Sequence, residues 1–425
     1  MTAAVADSRL ASRRAIEALR AGVPSRDAVA ALGSGQTEVE DRFVGLLRDI
    51  SAPGIGRSLH ASGLLLGGGF GTGKSHLLEH LATVALESGF VASKLVISKE
   101  TPLHDPVKVF RAAAEAAVSP GASGAALREA AAGLDVDSPA YAELIRWATR
   151  PDSGLSERFP ATLTLFRRAQ SGDGEYADAI VRFWSGDPLP VPELRRRLRE
   201  AGEGRPVLST ISAKELAAQR FRFAARIFAA AGFAGWVVLF DEVELIGRYS
   251  VLQRGRSYAE LAGWLRRDAA DLGAPLAAVI AMTDDFDAAV LTAKNDREQV
   301  PARLRARETP EADELAGMAE AGMRAIERDM VLLSPPDRAE LDHAYREVRG
   351  LHAEAFGWDP PDVPGLEKLG ATRMRQYIRA WINEWDLVRL DPDFIPRTET
   401  VEIGSDYRED AELEGEVEQA SGVWE

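Results

Sequence analysis

At 425 residues, 46% of them hydrophobic and 28% charged, the chain has the composition of a folded globular protein able to bury a large core. It contains no cysteine, which excludes a disulfide framework, a thiolate nucleophile and a thiolate zinc site. The net charge of −15 excludes a surface that is basic throughout, yet ten acids against two arginines in residues 396–425 put −8 on the tail and −7 on the rest.

No apolar run approaches the roughly 18 residues of a membrane helix. The first twenty residues hold no apolar stretch of the secretory kind, so the expected compartment is the cytoplasm. Residues 10–50 read as two helices broken at Ala21-Gly22-Val23-Pro24, the second with Val39, Phe43, Leu46 and Leu47 at helical spacing. Gly63-Leu64-Leu65-Leu66 predicts a short buried strand, followed by a glycine-rich loop and the helix SHLLEHLATVALES. A second strand is predicted over Lys94–Ser98, closed by Thr101-Pro102 and Asp105-Pro106.

The next strand is WVVLF at Trp236–Phe240, so 135 residues separate it from Glu100. That span has helical patterns at Val107–Ala117, Ala140–Thr149, Leu163–Gln170, Pro192–Glu200 and Ala213–Ala231, far more than one crossover needs. A helix around Tyr258–Ala270 leads to a fourth strand, Leu276–Met282, and Met330–Leu333 is a fifth candidate. Arg338–Gly350 and Thr372–Leu390 predict amphipathic helices, with Trp381 and Trp385 on one face. The alternation implies an α/β fold with a parallel sheet covered on both faces and a small helical domain behind it. The expected divisions are an N-terminal helical segment at 1–60, a nucleotide-binding domain at 61–309 with a helical insertion at about 106–210, the end of the sheet and helical lid at 310–395, and an acidic tail at 396–425 with almost no apolar periodicity, expected to be disordered.

The segment Gly68-Gly69-Phe70-Gly71-Thr72-Gly73-Lys74-Ser75 fits G-x-x-x-x-G-K-S between a strand and a helix. Glycines let consecutive N–H groups converge on phosphates, and the positive end of the next helix adds to the attraction. Lys74 is placed to bridge the β- and γ-phosphates of ATP and Ser75 to complete a Mg2+ shell, with His76 the last residue of the cofactor-binding stretch. Asp241 and Glu242 end an apolar strand. The first is the expected metal ligand, the second the group that orients or deprotonates the attacking water, and Glu244 is read as supporting or structural. Thr283, at the end of the fourth strand, is the candidate polar sensor of the γ-phosphate.

Arg373, in Gly370-Ala371-Thr372-Arg373, is the candidate lid arginine, with Arg375 as fallback. Arg303, Arg305, Arg307, Arg324 and Arg328 are unranked candidates for a finger donated to a neighbouring subunit. Arg195, Arg196, Arg197 and Arg199 form a run read either as a phosphate-binding patch for DNA or as a solvated helix face. The six histidines offer no metal-ligand spacing.

The order of loop, acidic pair, polar strand tip and G-x-x-R helix resembles an AAA+ ATPase of the branch that holds replication initiators and loaders. More narrowly, RRAIEALRAGVPSRDAV, GGFGTGKSHLLEHL, VVLFDEVELIGRYS and TRMRQYIRAWINEWDLVRL are similar to ATP-binding proteins of bacteriophage-exclusion (BREX) defence systems, of the BrxD type. The resemblance spans roughly residues 12 to 390. It implies an ATPase component of an antiphage system, working with other defence proteins and with DNA directly or through a partner, as a nucleotide-dependent homo-oligomer. Initiator-type relatives often add a winged-helix domain after the lid, and only the acidic tail follows here. Two rival readings are a slow nucleotide-gated switch or scaffold and, less well matched by the acidic pair, a small-molecule kinase.

Overall fold

The computed structural model describes residues 2–51, 63–121, 125–170, 172–203, 207–266, 274–363, 374–391, 393–394 and 407. Three helices come first: α1 (Thr2–Ala21), α2 (Arg26–Leu32) and α3 (Thr37–Ser51). Two had been expected. The extra break falls at Gly33 and Gly35, which take φ of 65° and 66°, a left-handed region that interrupts a helix.

The strands are β1 (Gly63–Gly67), β2 (Val91–Val96), β3 (Trp236–Asp241), β4 (Leu276–Met282) and β5 (Val331–Leu332). They form one sheet in the order β2-β3-β4-β1-β5, parallel at every pairing. Continuous apolar runs such as LAAVIAM suit strands buried on both faces, as a parallel sheet requires. β4 has the predicted bounds. β2 begins three residues earlier than predicted because Val91 pairs with Trp236, and β5 shrinks to two residues.

Helix α4 (Lys74–Glu87) packs with α3 on one face, where Phe43, Leu47, Leu78 and Leu81 meet Val237, Leu239 and Val279. Val238, Phe240 and Ile280 alternate to the opposite face. Seven helices lie between β2 and β3: α5 (Pro106–Glu115), α6 (Ala126–Ala132), α7 (Pro139–Thr149), α8 (Arg158–Ala169), α9 (Gly174–Trp184), α10 (Val191–Glu200) and α11 (Ala213–Ala230). α5 and α11 rest on that second face, with Phe110, Phe221 and Phe228 around Trp236. The same apolar core continues outward through α6 to α10. α12 (Val251–Leu265), α13 (Asp296–Arg305) and α14 (Pro310–Arg328) complete this layer; the last two were not foreseen as helices.

α15 (Arg338–Phe356) and α16 (Met374–Leu390) form a separate cluster together with α1 and α2. Ile16 and Leu19 pack with Val348, Tyr377, Trp381 and Trp385. Arg9 and Arg13 donate to the Ala355 carbonyl at 3.1 and 2.9 Å, and Arg20 reaches Asp386 at 2.5 Å. The first two helices therefore share a core with the last two, across more than 300 residues of sequence. Of the tail, Tyr407 alone is described, and it is packed against the second sheet face.

Candidate functional site

The site grows from the C-terminal ends of three adjacent strands. β1 delivers the glycine loop, β3 delivers Asp241, and β4 runs between them and ends at Thr283. Gly71 and Gly73 take φ of 78° and 103°, where a side chain would strain the turn into α4. Lys74 opens that helix and is 7% exposed. Its Nζ donates to the Gly68 and Gly69 carbonyls at 2.7 and 3.2 Å, which folds the loop around the ammonium. The Phe70 ring centroid lies 5.5 Å from the same Nζ. Thr72 Oγ1 donates back to Gly69 O at 2.9 Å.

Asp241 is buried, and its Oδ1 accepts the N–H of Glu242 at 3.0 Å. Glu242 has a φ of 57°, a conformation that costs a non-glycine residue of order 1 kcal/mol or more and tends to persist at working sites. Burial and the neighbouring Asp241 push its carboxyl pKa up, while Lys74 and Arg375 pull it down. A carboxylate so held is a better proton acceptor than one in water. Glu244 follows on the 3-10 turn 243–248, 3.9 Å from Lys74 Nζ and equally buried. Among the described residues no side-chain donor bonds either of its oxygens, and burial pushes its pKa up to about 7.

That turn is tied down from behind. Arg254 of α12 donates Nη1 to the Tyr249 carbonyl at 2.6 Å and grips Asp296 with Nε and Nη2, both at 2.8 Å. Tyr258 donates to the same carboxylate at 2.7 Å. Both charged side chains are almost wholly inaccessible.

Thr283 is fully buried, and its hydroxyl is bonded to that of Tyr407. Ser75 lines a cavity of about 330 Å³ beside the loop. The other walls come from residues 22–24 and 32–36, from Leu333 and Ser334, and from α15 and the start of α16. A volume near the lower end of the range for small-molecule pockets suits a base and sugar adjoining the phosphate loop. His76 lines the same cavity. Its Nε2 donates to the Gly33 carbonyl at 2.7 Å, and burial lowers its pKa, so it is a neutral tie between α4 and the loop after α2. Gln36 makes two 3.0 Å bonds to the backbone of Ser334, which closes the cavity on the β5 side.

Arg373 lies outside the described residues. Arg375, the fallback for it, lines the cavity. Its backbone N–H points to the Gly71 carbonyl at 3.5 Å, and its charge acts on Glu242. A β-carbon at Gly22 would sit 3.5 Å from its Nε, so the guanidinium lies across the first interhelical turn. Gln36 and the Gly33–Gly35 turn line the cavity without any contiguous motif to announce them.

The site as built has a phosphate loop, an acidic pair and a bordering cavity. Residues 8–130 match the family described as BREX system ATP-binding protein BrxC/D. The match takes in α1 to α5 with the whole phosphate loop, and it stops before Asp241, Glu242 and Thr283. It supports the resemblance to BREX ATP-binding proteins and, with it, nucleotide binding. No curated protein and no solved structure matches the chain significantly.

Among the described residues, no cluster of three or more His, Asp or Glu could hold a metal by itself, and no helix is long and apolar enough to cross a membrane. One carboxylate and one hydroxyl, Asp241 and Ser75, nevertheless suit Mg2+, which keeps several waters and takes its other ligands from substrate phosphates. The arginine run on α10 is engaged locally. Arg197 pairs with Asp173 at 2.7 Å and stacks on Tyr176, Arg196 pairs with Glu200 at 2.9 Å, and Arg195 and Arg199 donate to backbone carbonyls. Of the five finger candidates, Arg305 is paired with Glu320 at 2.7 Å, and all five are exposed.

Proposed function

We propose that the chain is an ATP-hydrolysing AAA+ component of a BREX-type defence system, of the initiator/loader-like branch, acting with other defence proteins on DNA or a DNA-bound partner. The observation that carries the reading is the placing of β4 between β1 and β3, which brings Lys74, Thr283 and the Asp241–Glu242 pair to one edge of one sheet. A loop alone supports binding; a strained, half-buried carboxylate beside it supports turnover.

In this reading the backbone N–H groups of residues 69–75 and the Lys74 ammonium hold the triphosphate. Ser75 and Asp241 would hold Mg2+, which would supply positive charge beside the phosphates when bound. Glu242 accepts a proton from the water whose oxygen bonds to the γ-phosphorus as the bridging bond to ADP breaks. Thr283 donates to a γ-phosphate oxygen, and Arg375, or Arg373 from the same helix start, neutralises developing charge. Exposed arginines on α13 and α14 offer a finger to a second copy, which supports nucleotide-dependent homo-oligomerisation.

Two variants test this. Lys74→Ala should abolish ATP–Mg2+ binding by isothermal titration, because the loop loses the charge it is wrapped around. Glu242→Gln should bind ATP while turnover falls by about two or more orders of magnitude. Wild-type affinity in the first variant refutes the phosphate loop, and turnover within about twofold of wild type in the second refutes the base. The rival reading, a slow nucleotide-gated switch, is favoured by one observation: the Thr283 hydroxyl is bonded to another side chain.

A further inference from the structure

A second cavity, of about 340 Å³, lies among α5, α11, α12, α14 and the start of β4. It shares no lining residue with the cavity beside the phosphate loop. Val109, Phe221, Trp264, Leu276 and Met318, one from each of those elements, make its walls largely apolar. The Phe221 and Trp264 rings stand nearly perpendicular, with centroids 4.8 Å apart. At about 30 Å³ for each water-sized group, the space suits a body of on the order of ten non-hydrogen atoms.

Glu260 lines this cavity from α12, one turn before Trp264. Among the described residues nothing donates a hydrogen bond to its carboxyl, and burial pushes its pKa up to about 7. Lys214 pulls that pKa down and Asp105 pushes it up, both from outside the lining. Arg222, the other charged residue of the lining, donates its Nη2 to the Gly154 carbonyl at 3.0 Å. A carboxyl held among apolar walls without a donor is destabilising, and a ligand that brings the donor removes that cost. An ammonium does so best, because a hydrogen bond between two charged groups is about twice as strong as one between neutral groups. The aromatic walls favour the same sign of charge.

We propose that this cavity is a binding site for an organic amine, its ammonium head paired with Glu260 and its apolar body held against Phe221, Trp264 and Met318. The site is independent of the nucleotide reading. A neutral molecule of the same shape gains the apolar contacts without the ion pair, and an anion is refused by the carboxylate.

The test uses the full chain and three probes of similar shape, phenethylamine, phenethyl alcohol and phenylacetate. They are titrated by calorimetry at about pH 8, where Glu260 is ionised and the amine is still charged. Phenethylamine should bind saturably and about tenfold or more tighter than the alcohol, and phenylacetate should not bind. Glu260→Gln keeps the shape of the wall and should bring the amine down to the affinity of the alcohol. A β-carbon on Gly263, which also lines the cavity, would meet no atom within 4 Å. Gly263→Leu therefore adds bulk to the wall without a clash and with a better helix former, and it should weaken amine and alcohol alike.

Equal affinity for amine and alcohol in the wild type, or an amine preference that survives Glu260→Gln, overturns the pairing with Glu260. Unchanged binding in Gly263→Leu places the probes elsewhere and overturns the cavity as their site. Absence of saturable phenethylamine binding to the wild type overturns the proposal as a whole.

Discussion

Replacing Asp296 by alanine tests the anchor behind the acidic pair. Asp296 receives two guanidinium bonds from Arg254 and one hydroxyl bond from Tyr258, all at 2.7–2.8 Å and all out of reach of solvent. Removing the carboxylate takes from a buried cation the acid that it grips with two nitrogens. The loss of one member of a buried pair costs about 3–5 kcal/mol, a large part of the 5–15 kcal/mol that holds a typical domain folded. With a urea dependence of about 3 kcal/mol per molar, the unfolding midpoint should fall by more than about 1 M. The double variant Arg254→Met/Asp296→Leu removes both charges at similar volume and should recover much of the loss. Because Arg254 also holds the Tyr249 carbonyl, the single variant should lower ATP turnover as well, through the turn that carries Glu244. A midpoint shift equivalent to less than about 1 kcal/mol, or a double variant less stable than the single one, refutes the reasoning.

Two further outcomes follow from the site. Glu244, with its pKa raised by burial from 4.5 to about 7, contributes stability that is present below about pH 4.5 and lost as pH rises through about 7. Without nucleotide, the wild-type melting temperature should therefore decline between pH 5 and 7.5 relative to Glu244→Gln, by an equivalent on the order of 3 kcal/mol; parallel profiles would count against a buried, ionising Glu244. Arg375→Ala should lower ATP affinity about tenfold or more while sparing ADP, as expected of a lost charge-assisted contact. If Arg373→Ala alone shows that loss, the neighbouring arginine is the one that reaches the phosphates.

The parts of the site that lie in contiguous residues were legible. The glycine loop and the strand ending in Asp241-Glu242 declare themselves because a phosphate cradle and a buried parallel strand each demand a run of one residue type. β4 was legible for the same reason. β2 was displaced because LVIS looks as apolar as VASKLV, and the register is decided by pairing with β3, which no local pattern records. The second helix break rests on two glycines that local composition underweights. Three features depend on contacts across more than a hundred residues: the shared core of Ile16 with Trp381 and Trp385, the seating of Arg375 on the loop, and the contact of Tyr407 with Thr283. A helix start leaves Arg373 and Arg375 equivalent until the packing of Ile378 and Trp381 sets the rotation of α16.

The joining of the first helices to the last has a bearing on biosynthesis. The cavity beside the loop takes walls from residues 22–36 and from residues as late as Ile378. A ribosome that has just made Ser75 must still add about 300 residues, which at about 5–20 residues per second occupies roughly 15–60 s. During that interval the loop exists without its enclosure, and α1 and α2 wait with Ile16 and Leu19 unburied. The cavity is complete only when α15 and α16 emerge and the two ends of the chain close together, so on the proposed reading ATP meets its full enclosure only at that last stage. Premature termination between Ser75 and Ile378 would yield a chain with the whole glycine loop and an unfinished cavity beside it.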